Sequence, residues 1–446
     1  MRDVMDVADP GTWLALDAAV REAGWRHRTS LPAREEVEGP AAGGSRQRAE
    51  AFRRRADALT EGRLAVALCH PDGRVREAAL GRVVEHLRPL GQSGRAATRT
   101  GLLPLVVIRG ADWAEPVCER ARVLLRDALP QLGAEETAVL ARLLVRVGRR
   151  ERGGFGVELL SDTLRRGPSE RFVPLFTDRD RAVRRLAYGV ALEQQVLSPA
   201  QWARAAAGDD DAVVQDVCAE AALAGLAEAD ADGADGDGVD EVLRPLLSAR
   251  NPRARSAGVT ALRRAGRPEA ARPFLTDRSA LVRACARYVL RQGGTDPLPL
   301  YQAWCADPAD EALPPGAPIG LAECGTRADA ALLGPLLRHP VPTVRARAVA
   351  GLRTLGHVDV ERLRPLIDDA PAVAREATLA LAGSARPLPE DWLTPRLAPE
   401  WPRHTRLAAF RLLVGQGGMV RLRASVRLLD DPDPKLRGWA ERSLQG

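Results

Sequence analysis

The chain has 446 residues, of which 45% are hydrophobic, 28% are charged and only 4% are aromatic. This aliphatic content excludes a disordered chain, and the scarcity of aromatic residues favours many thin, similar layers over a few bulky cores. The 65 basic and 59 acidic residues leave a net charge of +6 with no separate basic domain, so charge alone does not indicate a nucleic-acid-binding protein.

Residues 1–45 are predicted to form an N-terminal helix, near residues 12–24, followed by a flexible linker that contains Pro32, Pro40 and the run AAGGS. Residues 1–13 lack the apolar run of a secretion signal. The longest apolar run in the chain is residues 102–108, far short of the roughly 20 residues of a membrane span. The six cysteines lie far apart, as is typical of reduced thiols, so we expect a cytoplasmic protein without a membrane span or disulfide.

From residue 46 onward one segment recurs. A turn with Asp or Pro precedes an aliphatic anchor, an arginine usually follows the anchor, and a small residue lies four positions after it. The clearest copies are residues 178–187 (DRDRAVRRLA), 277–286 (DRSALVRACA) and 431–440 (DPDPKLRGWA). The anchors are Val75, Val117, Val183, Val214, Ala254, Val282, Leu313, Val344, Val373, Thr405 and Leu436. From Val282 onward they are 29 to 32 residues apart.

The spacing between anchor and small residue predicts a helix that packs closely on its neighbours, because positions i and i+4 share one helical face. Leucine-rich stretches at 242–247, 331–337 and 362–367 precede the anchors and predict a partner helix. Residues 46–446 are therefore predicted to be an all-α solenoid (superhelix) of about a dozen stacked antiparallel helix pairs. The interval 130–175 contains one repeat that the pattern does not phase.

The motif Asp-x-x-x-x-Val-Arg-x-x-Ala resembles the HEAT repeat of armadillo-like proteins, and the step near 31 residues is most similar to the short HEAT-like repeats of the bilin-lyase (PBS lyase) type. The resemblance implies that the arginine after each anchor pairs with the turn Asp of its own or the neighbouring layer. It also implies that the second helices line a concave groove. Four copies depart from the motif, with Cys118, Gln215, Pro314 and Ala374 in the arginine position.

The groove predicted by this resemblance is basic and carries a few aromatic residues. Its expected residues, at about two, five, six and nine positions after the anchors, are Arg185, Tyr188, Arg263, Arg287, Tyr288, Arg291, Arg353, Arg375, Arg411 and Arg442. Such a surface suits an acidic protein segment or a phosphate backbone. The alternative is a merely solvated charged face.

Residues 228–241 are strongly acidic and are predicted to be a disordered insertion. The stretch does not match the EF-hand calcium loop, because Ala234 or Val239 falls on a ligand position in either register. The six histidines show no metal-ligand spacing, and no nucleophile or nucleotide-binding motif occurs. We therefore expect no catalytic residues, no metal and no cofactor, without excluding an enzyme.

A second candidate site lies near the C-terminus, where Glu400 and Asp391 accompany the cluster Trp392, Trp401, Arg403, His404 and Arg406. This composition resembles the basic, tryptophan-bearing face of HEAT-like alkylpurine DNA glycosylases. The alternative is that the tryptophans fill space between layers. The favoured hypothesis is a non-catalytic scaffold or adaptor that binds an acidic protein segment. The others are a nucleic-acid-binding protein and an accessory subunit resembling bilin lyases.

Overall fold

The computed structural model describes residues 9–26, 31–38, 61–87, 101–231, 236–384 and 386–445. All secondary structure in these ranges is helical, and the chain is an all-α solenoid of stacked helix pairs. The chain divides into two compact units, Met1–Gly225 and Leu226–Gly446. We number the helix pairs as layers 1 to 12 and call the members of each pair its first and second helix.

The first unit begins with helices Pro10–Arg26 and Arg34–Glu38. Layers 1 to 3 are Glu61–Leu68 with Gly73–Leu87, Leu103–Arg109 with Glu115–Ala128, and Ala134–Val147 with Gly154–Arg166. Layers 4 and 5 are Val173–Phe176 with Arg181–Glu193, and Pro199–Gly208 with Ala212–Ala231. The second helix of layer 5 runs across the boundary between the units.

The second unit contains layers 6 to 12. Layers 6 to 8 are Gly236–Ser248 with Pro252–Arg264, the 3-10 helix Pro268–Thr276 with Ala280–Gln292, and Leu298–Cys305 with Ala317–Cys324. In layers 9 to 11 the first helices start at Ala330, Val360 and Glu390, and the second helices are Pro342–Thr354, Pro371–Ala382 and Arg403–Gly415. Layer 12 is Gly418–Arg427 with Pro434–Gln445.

The first helices of layers 9 to 11 are each interrupted by a proline. One α-helical turn gives way to a 3-10 segment at Pro335, Pro365 or Pro395. Proline lacks the amide hydrogen of an α-helical bond, and its ring clashes with the preceding turn. The leucine-rich stretches at 331–337 and 362–367 are therefore first helices, as predicted, but only partly α-helical.

The repeat phasing is confirmed by burial. All eleven anchors and all eleven small residues four positions later are buried. The small residue of layer 6 is Gly258, where an added Cβ atom would lie 2.8 Å from Leu246 Cβ on the first helix of that layer. The unphased interval forms layer 3, where the Gly133 amide donates to the Glu136 carboxylate at the start of the first helix.

The arginines after the anchors join neighbouring layers. Arg255 of layer 6 donates to the backbone carbonyl of Ala249, six residues earlier, and to both carboxylate oxygens of Asp277 in layer 7. Arg345 repeats the pattern with the His339 carbonyl and the Asp369 carboxylate. The predicted pairing is confirmed in a specific form: the own-layer contact is to a carbonyl, and the carboxylate belongs to the next layer.

Where the motif arginine is missing, other side chains form the hydrogen bonds between neighbouring layers. In layer 2 Cys118 replaces it, and Arg122, one helical turn later, donates to the carbonyls of Gly110 in its own layer and Arg152 in the next. In layer 8 the residue is Pro314, and buried His339 of layer 9 reaches back to the Asp310 carbonyl, with Nε2 at 3.0 Å. The links between layers are kept although the motif is not.

The N-terminal helix Pro10–Arg26 packs against layers 1 and 2 of the first unit. Trp13 and Asp17 are buried, and Asp17 forms an ion pair with buried Arg109 of layer 2. Arg109 also donates to Asp112, which accepts two hydrogen bonds from Arg76 of layer 1. One polar network therefore holds the N-terminal helix against layers 1 and 2.

Two segments predicted to be irregular contain helix. Residues 34–38 of the predicted linker form a helical turn, with Glu35 and Glu36 in its first turn, where acidic side chains stabilise a helix N-terminus. The acidic stretch 228–241 is helical except for residues 232–235, which lie outside the described ranges. Its helical residues extend the second helix of layer 5 and begin the first helix of layer 6. The rest of the predicted linker after residue 38 also lies outside the described residues.

Candidate functional site

The second helices of the second unit expose apolar and basic side chains together. Leu281 and Tyr288 of layer 7 are 49% and 47% exposed, and seven residues place both on one side of the helix. Leu379 of layer 10 is 46% exposed at the same repeat position as Tyr288, six residues after the anchor. We call this surface the second-helix face. It comprises Arg263, Leu281, Tyr288, Arg291, Arg353, Arg375, Leu379 and Arg411.

The arginines of this face carry more charge than their neighbours neutralise. Arg353 and Arg375 share one carboxylate, that of Glu376, each at 3.6 Å. Arg263 and Arg291 are exposed and form no ion pair within the described part of the chain. Because unpaired surface arginines remain available to a partner, the face can bind carboxylates beside its apolar side chains.

Most predicted groove residues of the second unit do lie at the surface. Arg263, Tyr288, Arg291, Arg353, Arg375, Arg411 and Arg442 are exposed. The Arg411 guanidinium lies 5.4 Å from the centroid of the Trp439 ring, which holds it against layer 12. The three arginines at 263, 291 and 353 share one repeat position, nine residues after the anchor.

Arg287 does not belong to this surface, which corrects the prediction. It is buried and forms an ion pair with Glu323 of layer 8, at 2.7 Å, as does Arg283. Burial acts to raise the pKa of Glu323, but hydrogen bonds from the two arginines outweigh it and hold that pKa below its usual value. Arg287 therefore joins layers 7 and 8, because the position five residues after an anchor faces the next layer.

In the first unit, Tyr188 is buried as well, so it cannot serve as an exposed groove residue. Its ring stacks on Phe176, with centroids 4.5 Å apart, and packs against Trp202. Arg185 donates to both carboxylate oxygens of Asp211. The expected groove residues did not include Leu281, one position before its anchor, or Leu379, six positions after its anchor, although both are exposed.

The C-terminal tryptophan cluster is engaged within the protein. The guanidiniums of Arg364 and Arg396 lie over the Trp392 ring, 4.4 and 3.6 Å from its centroid, and Arg396 lies 5.1 Å from that of Trp401. Arg406 is buried against Asp431, and Arg403 pairs with Asp433 at 2.7 Å. His404 is half-buried on the same helix as these two arginines. The cluster therefore links layers 10 to 12.

Neither a metal-binding cluster nor a membrane-spanning helix occurs in the described ranges. They contain no group of three or more His, Cys, Asp or Glu side chains arranged to hold a metal ion. Among the helices of these same ranges, none combines the length and the apolar character that crossing a membrane requires. The six cysteines are free, and burial raises the pKa of Cys218 and Cys305 to about 12.

No protein-family model and no curated protein matches this chain. Solved structures of low identity do match. A structure of microtubule polymerases with TOG domain arrays, described for tubulin recruitment and assembly, is 13% identical over 97% of both chains, with a TM-score of 0.24. Kap121p is 13% identical over 97% of this chain and 51% of its own, with a TM-score of 0.27. UNC-45 from Drosophila melanogaster is 14% identical over 98% of this chain and 79% of its own, with a TM-score of 0.20.

Proposed function

We propose that the protein is a non-catalytic adaptor whose second-helix face binds an acidic protein segment that also carries apolar side chains. The observation that carries this proposal is the combination of half-exposed Leu281, Tyr288 and Leu379 with the surplus arginines beside them. Burying the apolar side chains supplies affinity, and the arginines select carboxylates and speed the encounter.

A protein segment fits this face better than a nucleic acid does. Phosphate backbones are bound by dense cationic tracks, whereas here Leu281 and Leu379 interrupt the arginines and Glu376 neutralises two of them in part. Tyrosine and arginine are the side chains most enriched at the centres of protein interfaces, and Tyr288 lies one helical turn from Arg291. A phosphodiester backbone offers no apolar surface for these side chains to pack against.

The experiment is selection from a random dodecapeptide library displayed on phage, with the full-length protein as bait. We expect the enriched sequences to carry Asp or Glu together with Leu, Phe or Trp. Replacing Tyr288→Ser and Arg291→Glu together should weaken binding of the enriched peptides at least about tenfold, since a buried aromatic contact and an ion pair are both removed.

The control is a matched pair of substitutions on the first helix of layer 12. Val426→Ser with Arg427→Glu also removes an exposed hydrophobic side chain and reverses the charge of an arginine, at two positions outside the second-helix face. This variant should bind as the unmodified protein does. Enrichment of basic peptides, or equal losses in both double variants, would contradict the proposal.

Three further assignments belong to the same proposal. We infer that residues 46–446 act as one repeat region preceded by a docked N-terminal segment, and that the protein works in the cytoplasm.

The finer resemblance, to bilin lyases acting on a tetrapyrrole-carrying protein, makes a separate prediction. A chromophore absorbing in the visible range would co-purify with the protein, and its absence from material purified with the native partner would exclude that role.

A further inference from the structure

The motif arginine of layer 12 keeps two hydrogen-bond donors without a partner. In layers 1, 4, 6, 7 and 9 the Nη1 atom of this arginine donates to a carbonyl six residues earlier, while Nε and Nη2 hold a carboxylate of the next layer. Arg437 of layer 12 makes the first contact, from Nη1 to the Asp431 carbonyl. Its Nε and Nη2 form no hydrogen bond with any residue that the structure describes. Arg437 is therefore oriented for a carboxylate that this part of the chain does not supply.

The second helix of layer 12 also exposes positions that the other layers bury. Positions one, five and eight after an anchor share one side of the helix, and Arg287, at the second of them, pairs with Glu323 of the next layer. In the other phased layers the eighth position is buried: Val83, Leu125, Ala191, Ala222, Leu262, Leu290, Leu321, Leu352, Leu381 and Leu413. In layer 12 it is Leu444, which is 39% exposed. Glu441, at the fifth position, is exposed and forms no ion pair within the described ranges.

Exposed apolar side chains are concentrated in this layer. Of the twelve most exposed large apolar side chains among the described residues, layer 12 contributes four, Met419, Leu422, Val426 and Leu444. The outer layer of a solenoid that ends in water needs a polar face. Layer 12 instead combines apolar side chains with unfilled donors, which is typical of a surface that another protein covers.

A second copy of the same helix carries the missing carboxylate. Glu441 lies one helical turn after Arg437 on the same side of the helix. When two such helices lie antiparallel about a twofold axis, Arg437 of each copy is opposite Glu441 of the other, so the surface is complementary to itself.

Stacking of layer 12 on layer 1 of another copy does not fit. Between layers the carboxylate most often lies five positions before the anchor, as Asp112, Asp277 and Asp431 do. In layer 1 that position is His70, whose Nδ1 atom accepts a hydrogen bond from the Asp72 amide. It offers no carboxylate to Arg437.

We propose that two copies of this chain pair through their last helices, with Arg437 of each copy holding Glu441 of the other and Leu444 buried beside these ion pairs. We call the surface formed by these three residues the end face. The pairing does not depend on the function proposed for the second-helix face. Each particle would carry two second-helix faces, so a partner with two acidic segments would bind more tightly than a partner with one.

The test is sedimentation equilibrium of the full-length protein over roughly 1–100 µM, where moderately stable homodimers dissociate. We expect the mass to approach twice the chain mass of 48.0 kDa. Arg437→Glu and Glu441→Arg each set like charges opposite one another, so each should weaken association at least about tenfold. Arg442→Glu reverses an exposed charge on the same helix outside the end face and should leave association unchanged.

Mixing the two disruptive variants tests the twofold arrangement itself. In a mixed pair one copy carries two carboxylates at these positions and the other carries two guanidiniums, so both ion pairs form again. The mixture should therefore dimerise although neither variant does so alone. Recovery in the mixture also shows that both variants are folded.

Four results would overturn the proposal. They are the mass of a single chain throughout the concentration range, association that both single variants leave unchanged, a mixture that associates no better than its components, and masses that rise beyond two copies. The last result would assign the end face to continuous head-to-tail stacking instead of a closed pair.

Discussion

Arg255 holds Asp277 of the next layer with two hydrogen bonds, Nε to Oδ2 at 2.9 Å and Nη2 to Oδ1 at 2.8 Å. The remaining guanidinium nitrogen, Nη1, donates to the carbonyls of Ala249 and Arg250 in its own layer. Burial acts to raise the pKa of Asp277, but the hydrogen bonds from Arg255 and from the Ser279 amide outweigh it and lower that pKa. One side chain thus closes a turn and joins two layers.

Replacing Arg255 should destabilise the second unit strongly. The Arg255→Ala substitution leaves the Asp277 carboxylate nearly buried without its partner and two carbonyls without a donor, at a cost of about 3 kcal/mol. Urea unfolding followed by circular dichroism measures the change. Arg263→Ala, on the same helix but exposed and without an ion pair in the described residues, should change stability by less than about 0.5 kcal/mol. Similar effects of both substitutions would contradict the role of the inter-layer pair.

The close approach at Gly258 predicts that even a methyl group is too large there. In Gly258→Ala the new Cβ atom would meet Leu246 Cβ at 2.8 Å and the Leu247 amide nitrogen at 3.1 Å, so we expect a loss of about 1–3 kcal/mol. Gly189→Ala is the matched control, because that helical glycine has nothing within 4 Å and alanine favours helix. The melting temperature should fall for Gly258→Ala and should stay unchanged or rise for Gly189→Ala.

Asp211 predicts a loss of stability at low pH. Its carboxylate accepts two hydrogen bonds from Arg185 and also bonds to the amides of Val213 and Val214, and these contacts lower its pKa to about 2. Because the folded pKa lies below the unfolded value of about 3.9, the contribution is complete above roughly pH 5 and is lost as the pH falls towards 2. The melting temperatures of the native protein and of Asp211→Asn should therefore converge over that interval. A constant difference down to pH 2 would show that the charge of Asp211 contributes nothing.

The tryptophan cluster predicts weak binding of single-stranded nucleic acid. Bases stack on free aromatic faces, whereas two guanidiniums already lie over the Trp392 ring. We expect any binding of an oligothymidine probe to be lost as the salt concentration rises from about 50 to 200 mM, because it would depend on phosphate contacts. The Trp392→Leu substitution should leave that binding unchanged. Saturable binding at the higher salt that Trp392→Leu abolishes would favour the nucleic-acid hypothesis instead.

Repeat phasing could be predicted because close packing constrains two positions in every layer. An anchor such as Val344 and its partner Ala348 are both completely buried, and only aliphatic and small side chains fit there. Layer 3 was not phased, and the arginine that binds the turn Asp of layer 4 does not lie at the motif position. Asp178 of layer 4 is instead held by Arg142 from the first helix of layer 3, which no spacing rule anticipates.

The candidate site was predictable only in part, for a physical reason. Helical periodicity identifies which side of a second helix faces away from its partner, and Tyr288 and Arg291 followed from it. It cannot show whether the next layer covers a given position. Arg287 is covered because Glu323 of layer 8 reaches it, and Tyr188 is covered because Phe176 and Trp202 enclose its ring.

Hydrogen–deuterium exchange of the full-length protein, with and without a saturating concentration of an enriched acidic peptide, tests the central proposal most directly. Binding at the second-helix face should slow exchange in residues 280–292 and 371–382, the helices that carry Tyr288 and Leu379. Slowed exchange confined to layer 12 or to the first unit, with those two helices unchanged, would contradict it.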